Sequence, residues 1–204
     1  MRNTFSRKAI RATNRLLKNT GLCKFLGENF VRGSNFHAVD TQFYRSAQLD
    51  CDELEKAIQQ LHLRTVINLR GTRTGKHWYE EEKELCEVLN ITHIDLRLSS
   101  SQPLIEETLD YTRVLRTASY PLYIHCTGGK DRAGYAATVY RLVIRQESVK
   151  KALEEMSSRY GHKHSALDEF FEHYQQEGEH NNITFEQWLR TTMDDQRKIK
   201  KGII

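Results

Sequence analysis

An α/β layered domain, with a mostly parallel central sheet flanked by helices, is the fold class the sequence predicts. Three observations predict it. Short apolar or β-branched runs, as at 65–69 and 122–125, are each bounded by turn residues. Stretches with helical apolar spacing alternate with those runs. The run at 122–125 passes through two adjacent glycines straight into a helix-forming segment, which fits a strand–turn–helix unit of a parallel sheet. Residues 36–204 are expected to form this domain, and 1–35 a basic amphipathic helix with its connector.

The elements follow in order. Phe43-Tyr44-Arg45 reads as a short strand leading into Ser46-Ala47-Gln48. Residues 50–61 read as a helix that carries Leu54, Ala57, Ile58 and Leu61 on one face. A buried strand at 65–69 and a polar, glycine-containing loop at 71–77 come next. A helix over 78–89 and a strand over 91–96 follow. Ser99-Ser100-Ser101 opens a loop, and Pro103 suits the first turn of a helix running to about Thr117. Pro121 interrupts the chain before the strand 122–125, and a helix is expected from about Asp131 to Arg145. Two or three further helices are predicted, at 148–159, about 165–176 and 184–193. Thr184 and Gln187 have capping-box spacing at the last of these.

Composition narrows the function classes. Hydrophobic residues make up 38% and charged residues 28%, which suits an ordinary folded domain. A net charge of +4 is too small to argue for nucleic acid, but it favours an anionic substrate. The four cysteines, Cys23, Cys51, Cys86 and Cys126, show no C-x-x-C pairing and no zinc-finger spacing with histidine. No metal site and no disulfide framework is expected, and a reducing, cytoplasmic setting fits best. No apolar run is long enough to cross a bilayer, and no secretory signal is seen. Residues 1–27 carry seven Lys/Arg and no Asp or Glu. Arg7, Lys8, Arg11, Arg15 and Lys18 share one helical face, with Phe5, Ala9, Ala12 and Leu16 on another. Three readings stay open: a helix lying on an anionic membrane surface, a presequence, or a helix packed on the domain with its charges solvated.

The chemistry sits in His125-Cys126-Thr127-Gly128-Gly129-Lys130-Asp131-Arg132-Ala133-Gly134. Adjacent glycines let the backbone fold tightly enough for successive N–H groups to point inward, and such a nest binds an anion. The following helix adds the positive end of its dipole. Cys126 at the start of the turn is the candidate nucleophile, since an electropositive loop favours thiolate. Arg132 at its end is the candidate phosphate clamp, its planar fork matching two oxygens at once. Thr127, Gly128, Gly129, Lys130 and Ala133 are the candidate substrate-binding positions between and beside them. Attack on a phosphomonoester would give a phosphocysteine that water hydrolyses. The amides and Arg132 neutralise the transferring group, so no cofactor is expected.

This segment resembles the signature of the cysteine-based protein tyrosine and dual-specificity phosphatases. So do Phe43-Tyr44-Arg45-Ser46-Ala47-Gln48-Leu49, Thr65-Val66-Ile67-Asn68-Leu69-Arg70-Gly71, His93-Ile94-Asp95-Leu96-Arg97-Leu98-Ser99 and Met156-Ser157-Ser158-Arg159-Tyr160-Gly161-His162, which are similar to a compact, mainly bacterial dual-specificity-like branch. The likeness covers about residues 36–162 and implies the phosphatase α/β sandwich. It implies as substrate a phosphorylated protein, on tyrosine, serine or threonine, or a phosphoinositide.

The sequence departs from the family pattern in two places. The family usually has Ser or Thr after the arginine, where the hydroxyl stabilises the departing thiolate; here the residue is Ala133. Slow breakdown of the phosphoenzyme, or a substitute donor such as Thr127, is expected. The loop after the strand 91–96 reads Leu98-Ser99-Ser100-Ser101-Gln102 and holds no carboxylate to act as general acid. The resemblance leaves Asp131, within the phosphate loop, and Asp95, on the strand, with Asp131 preferred. Lysine at position 130 recurs in phosphoinositide phosphatases and also in protein phosphatases. Arg70, with Arg73 and Lys76, follows a strand end and either lines the pocket or sits in a solvated loop. His125 is expected to orient the loop, and His162 and His164 to lie at the surface. Two other function classes stay open: a phosphate-binding module that has lost catalysis, and a sulfurtransferase-like or arsenate-reductase-like cysteine enzyme.

Overall fold

The computed structural model describes residues 34–200. The helix expected in 1–27 and Cys23 lie outside them. Five strands form one sheet: β1 (His37–Ala38), β2 (Phe43–Ser46), β3 (Thr65–Asn68), β4 (Thr92–Asp95) and β5 (Leu122–His125). Their order is β1-β2-β5-β3-β4. β1 runs antiparallel to β2, and every other neighbour is parallel. The register aligns the carboxyl ends of the four parallel strands, pairing Ser46 with His125, His125 with Asn68, and Asn68 with Asp95. In an open parallel sheet that edge is where ligands collect.

The helices are α1 (Cys51–Leu61), α2 (His77–Val88), α3 (Ile105–Thr117), α4 (Asp131–Val143), α5 (Val149–Ala152), α6 (Ala166–Glu177) and α7 (Phe185–Lys200). Every residue of β3 and of β5 is buried, because helices cover both faces of the sheet. Side chains alternate across it. Val66 and Tyr123 pack with Leu54, Ala57, Ile58 and Cys86 beneath α1 and α2. Ile67 and Ile124 pack in the larger core with Leu109, Leu115, Tyr135, Phe171, Trp188 and Leu189 from α3, α4, α6 and α7. Asp50 caps α1 with a complete capping box. Thr184 and Gln187 exchange their expected bonds ahead of α7.

Some boundaries differ from expectation. The edge strand β1 has two residues, too few for periodicity to show. Pro103 precedes α3, whose N-cap is Leu104, so it ends the loop instead of occupying the first turn. The helix expected over 148–159 is only α5, followed by 3-10 turns Leu153–Met156 and Ser158–Tyr160 and then Gly161 at φ +75°. Glu155 lies in this tighter stretch and turns both its carbonyl and its carboxylate onto Arg45. α7 continues to Lys200, beyond the expected 193. No helix among the described residues is long and apolar enough to cross a membrane.

Candidate active site

β5 ends at His125, and the next residue, Cys126, is almost fully buried (3% exposed) at the floor of the turn leading to α4. The turn is shaped from behind, through its carbonyls. The Gln48 amide donates to the Thr127 carbonyl (3.4 Å). Asn35 Nδ2 donates to the Gly128 carbonyl (3.2 Å). The Arg45 guanidinium donates to the carbonyls of Gly129 (2.8 Å) and Lys130 (3.2 Å). Four successive carbonyls are thus drawn to donors outside the turn. Gly129 has φ +66°, and a Cβ there would lie 2.5 Å from the Ala47 amide nitrogen. Only glycine fits both conditions.

Arg45 is the chief organiser of the turn. It is fully buried in the middle of an apolar strand, which is costly unless the charge is paired. Glu155 pairs it, with Oε2 3.0 Å from Nη1, and the Tyr160 ring stacks 4.4 Å from the guanidinium carbon. Burial pulls the Arg45 pKa below its usual value, against the attraction of Glu155. Arg45 stands in one of the segments that carried the family likeness, but its role was not legible from the sequence. The one available signal was a charge within an apolar strand.

A second buried network supports the floor from the other face. Glu82 of α2 is 2% exposed, with Oε1 3.0 Å from His125 Nε2 and 2.9 Å from His93 Nε2. Gln48 Nε2 donates to its other oxygen (2.7 Å). Burial alone would raise the Glu82 pKa; the charge and hydrogen bonds of His125, with those of His93 and Gln48, overcome this and hold it at about 2. His125 therefore orients the end of β5, as expected. Glu82 escaped notice because Glu80, Glu81 and Glu84 surround it and nothing in the sequence marks it out.

Arg132, one residue into α4, folds back over the turn, and its Nη2 donates to Thr127 Oγ1 (3.1 Å). Arg70 lies beside it. Its guanidinium stacks 3.8 Å over Trp78 and donates to Gln48 Oε1 (3.2 Å). Burial and the nearby charges of Arg132 and Arg73 lower the Arg70 pKa, while Cys126 acts in the opposite sense. Arg70 thus stands within electrostatic reach of both ends of the turn, while Arg73 and Lys76 are exposed. Lys130 lies across Gly161, where a Cβ would come 3.0 Å from its Cε. Ala133 is fully buried.

The two candidate acids occupy different surroundings. Asp95 ends β4, with β3 between it and β5, so roughly 10 Å of sheet separates the two strand ends. Asn68 Nδ2 donates to Asp95 Oδ1 (2.9 Å), and the Tyr79 hydroxyl donates to Oδ2. Burial and that bond push the Tyr79 phenol up to about 12. Asp131 opens α4, about half exposed, with Oδ1 2.7 Å from His162 Nδ1. His162 does not lie at the surface as expected: it is 3% exposed and wedged between Asp131 and Asp168. His164 is exposed. Burial raises the thiols of Cys51 and Cys86, to about 11 and about 12. Among the described residues no cluster of three His, Cys, Asp or Glu side chains forms a metal site.

The tyrosine phosphatase family matches residues 30–192. No curated protein matches the chain. Among solved structures, TpbA of P. aeruginosa is 22% identical with a TM-score of 0.55, over 68% of this chain and 83% of that one. The core catalytic domain of the PP-IP phosphatase SIW14 from S. cerevisiae, in complex with citrate, is 19% identical with a TM-score of 0.57, over 70% and 86%. PTPMT1 in complex with PI(5)P is 14% identical with a TM-score of 0.53, over 70% and 95%. At these identities the likeness is one of fold.

Proposed function

This chain belongs to the tyrosine phosphatase family, and from that premise we propose that it hydrolyses phosphomonoesters through a phosphocysteine on Cys126. One observation carries the reading: the carbonyls of Thr127, Gly128, Gly129 and Lys130 are all drawn outward by donors behind the turn. A tight turn with its carbonyls outside presents N–H groups inside, towards the oxygens of a phosphoryl group. Arg132, folded back onto Thr127 of the same turn, adds a positive charge and a planar set of donors.

The steps follow from that arrangement. Cys126 Sγ attacks phosphorus, an Sγ–P bond forms, and the ester P–O bond breaks. Asp131 gives the leaving oxygen a proton. Water then attacks phosphorus, Asp131 takes its proton, and the Sγ–P bond breaks to release phosphate. We assign the acid to Asp131 because Asp95 has both oxygens engaged and lies beyond β3.

The substrate we propose carries more negative charge than one phosphate. Arg70 stands near both Arg132 and Arg73, close enough for the charges to repel. That density suits a phosphoinositide or another polyphosphorylated molecule better than phosphotyrosine. The test is a panel of phosphotyrosine and phosphoserine peptides, phosphoinositides and soluble inositol phosphates, each run beside Cys126→Ser. Cys126-dependent release of phosphate, fastest from the polyphosphorylated members, is expected. Phosphotyrosine peptides hydrolysed fastest would overturn the substrate assignment. Equal rates in Cys126→Ser, or no hydrolysis of any member, would overturn the enzyme and leave a phosphate-binding module.

A further inference from the structure

We propose that His162, held by Asp168, is the positioning residue that aims Asp131 for proton transfer. The proposal rests on the phosphatase reading above, in which Asp131 is the acid. Its observations are separate. An imidazole that is 3% exposed has Nδ1 2.7 Å from Asp131 Oδ1 and Nε2 2.8 Å from Asp168 Oδ2. Asp168 is itself 6% exposed and fixed in place. It forms the capping box of α6 with Ser165, whose backbone N–H donates to the same Oδ2 at 2.8 Å. The order is a buried carboxylate anchored on a helix end, a buried imidazole, and a half-exposed carboxyl at the lip of the phosphate turn.

The arrangement meets a specific difficulty. Asp131 sits at a helix N-terminus between Lys130 and Arg132, so positive potential surrounds it on three sides. An unpaired imidazolium would add to that positive potential. Asp168 offsets the charge of His162, so the pair offers Asp131 a hydrogen-bond donor while adding little net charge. Lys130, lying over Gly161, is a further charged group at this turn, beside Arg132 and the buried Arg45. Nδ1–H occupies Oδ1, and Oδ2 carries the proton. That proton passes from Oδ2 to the ester oxygen as the P–O bond breaks and Sγ–P forms. In the second step Oδ2 takes a proton from the attacking water, and Nδ1–H stays on Oδ1 throughout.

The experiment compares kcat/KM for two aryl phosphates using the full chain. p-Nitrophenyl phosphate has a leaving group that departs without help, and phenyl phosphate has one that needs the proton. His162→Gln places an amide nitrogen where Nε2 was, which keeps Asp168 satisfied and frees Asp131. Phenyl phosphate hydrolysis is expected to fall by about 10²-fold, the scale of one general acid. p-Nitrophenyl phosphate should fall far less. Asp131→Asn should show the same selectivity, and the double variant should lose little more than either single one. His162→Asn, whose amide nitrogen stands where Nδ1 was, should recover part of the phenyl phosphate rate. Should His162→Gln fail to fold by circular dichroism, Asp168→Asn carries the same comparison. Equal losses on both substrates, beside a selective loss in Asp131→Asn, would overturn the positioning role and leave the phosphatase standing. Absence of Cys126-dependent hydrolysis in the native chain would overturn both.

Discussion

At position 133 a fully buried methyl group stands where relatives of the family place a hydroxyl, immediately after the arginine. A missing donor there bears on the second step of the proposed reaction, because it is then that the thiolate would depart. The expected outcome is a burst of product followed by slower turnover. Ala133→Ser should shrink the burst and raise the steady-state rate by about tenfold, since a hydrogen bond to a charged group contributes ~1.5–3 kcal/mol. Stopped-flow release of p-nitrophenol measures both; an unchanged steady-state rate would show that Thr127 already supplies the donor. The turn that carries Cys126, Arg132 and Ala133 was legible in the sequence because it falls in one run of ten residues. His162 was not, since its two carboxylate partners lie 31 residues upstream and 6 downstream, and a lone polar histidine is usually exposed.

Among elements, the turn after β5, β2 and the 3-10 turn after α5 act as one unit joined by Arg45. Its guanidinium reaches the Gly129 carbonyl across 84 residues of sequence and Glu155 across 110. Such separations explain why the turn could be read from the sequence and its support could not. A motif is local, whereas the donors that turn its carbonyls outward come from β2 and from Asn35 and Gln48 in the segments beside the strands, brought alongside only by folding. The same reason explains the misread helix at 148–159, whose apolar spacing did not disclose that Glu155 must wind inward. Arg45→Met would leave the Gly129 and Lys130 carbonyls without this donor and Glu155 with only Arg141. A loss of about 3–5 kcal/mol in urea denaturation is expected, as for breaking other buried ion pairs. Gly129→Ala should reduce phosphate binding as well as stability, because it places a methyl group against Ala47 at positive φ. A variant with native affinity for inorganic phosphate would contradict the role given to this turn.

For the whole molecule, four parallel strands ending in register place Ser46, His125, Asn68 and Asp95 along one edge, with Cys126, the proposed nucleophile, one residue beyond. This much followed from the alternation of strands and helices, since each buried strand reads as a short apolar run. What holds the edge in place is charged and buried, and Glu82 is its centre. Its folded pKa of about 2 lies below the ordinary 4.5, so the stability it contributes is fully present above pH 4.5 and is lost as pH falls towards 2. Denaturation midpoints of the native chain and Glu82→Gln, measured from pH 7 to pH 2, should differ by a constant amount down to about pH 4.5 and then converge. A difference that persists to pH 2 would contradict the network.

The central claim is that phosphate is carried on the sulfur at the floor of the turn. Rapid acid quench during turnover of an aryl phosphate, followed by intact-mass and peptide mass spectrometry, tests it most directly. One phosphoryl group on Cys126, present in the native chain and absent in Cys126→Ser, is the predicted result. Turnover that proceeds with no phosphorylated cysteine, or with the phosphoryl group on another residue, would contradict the account.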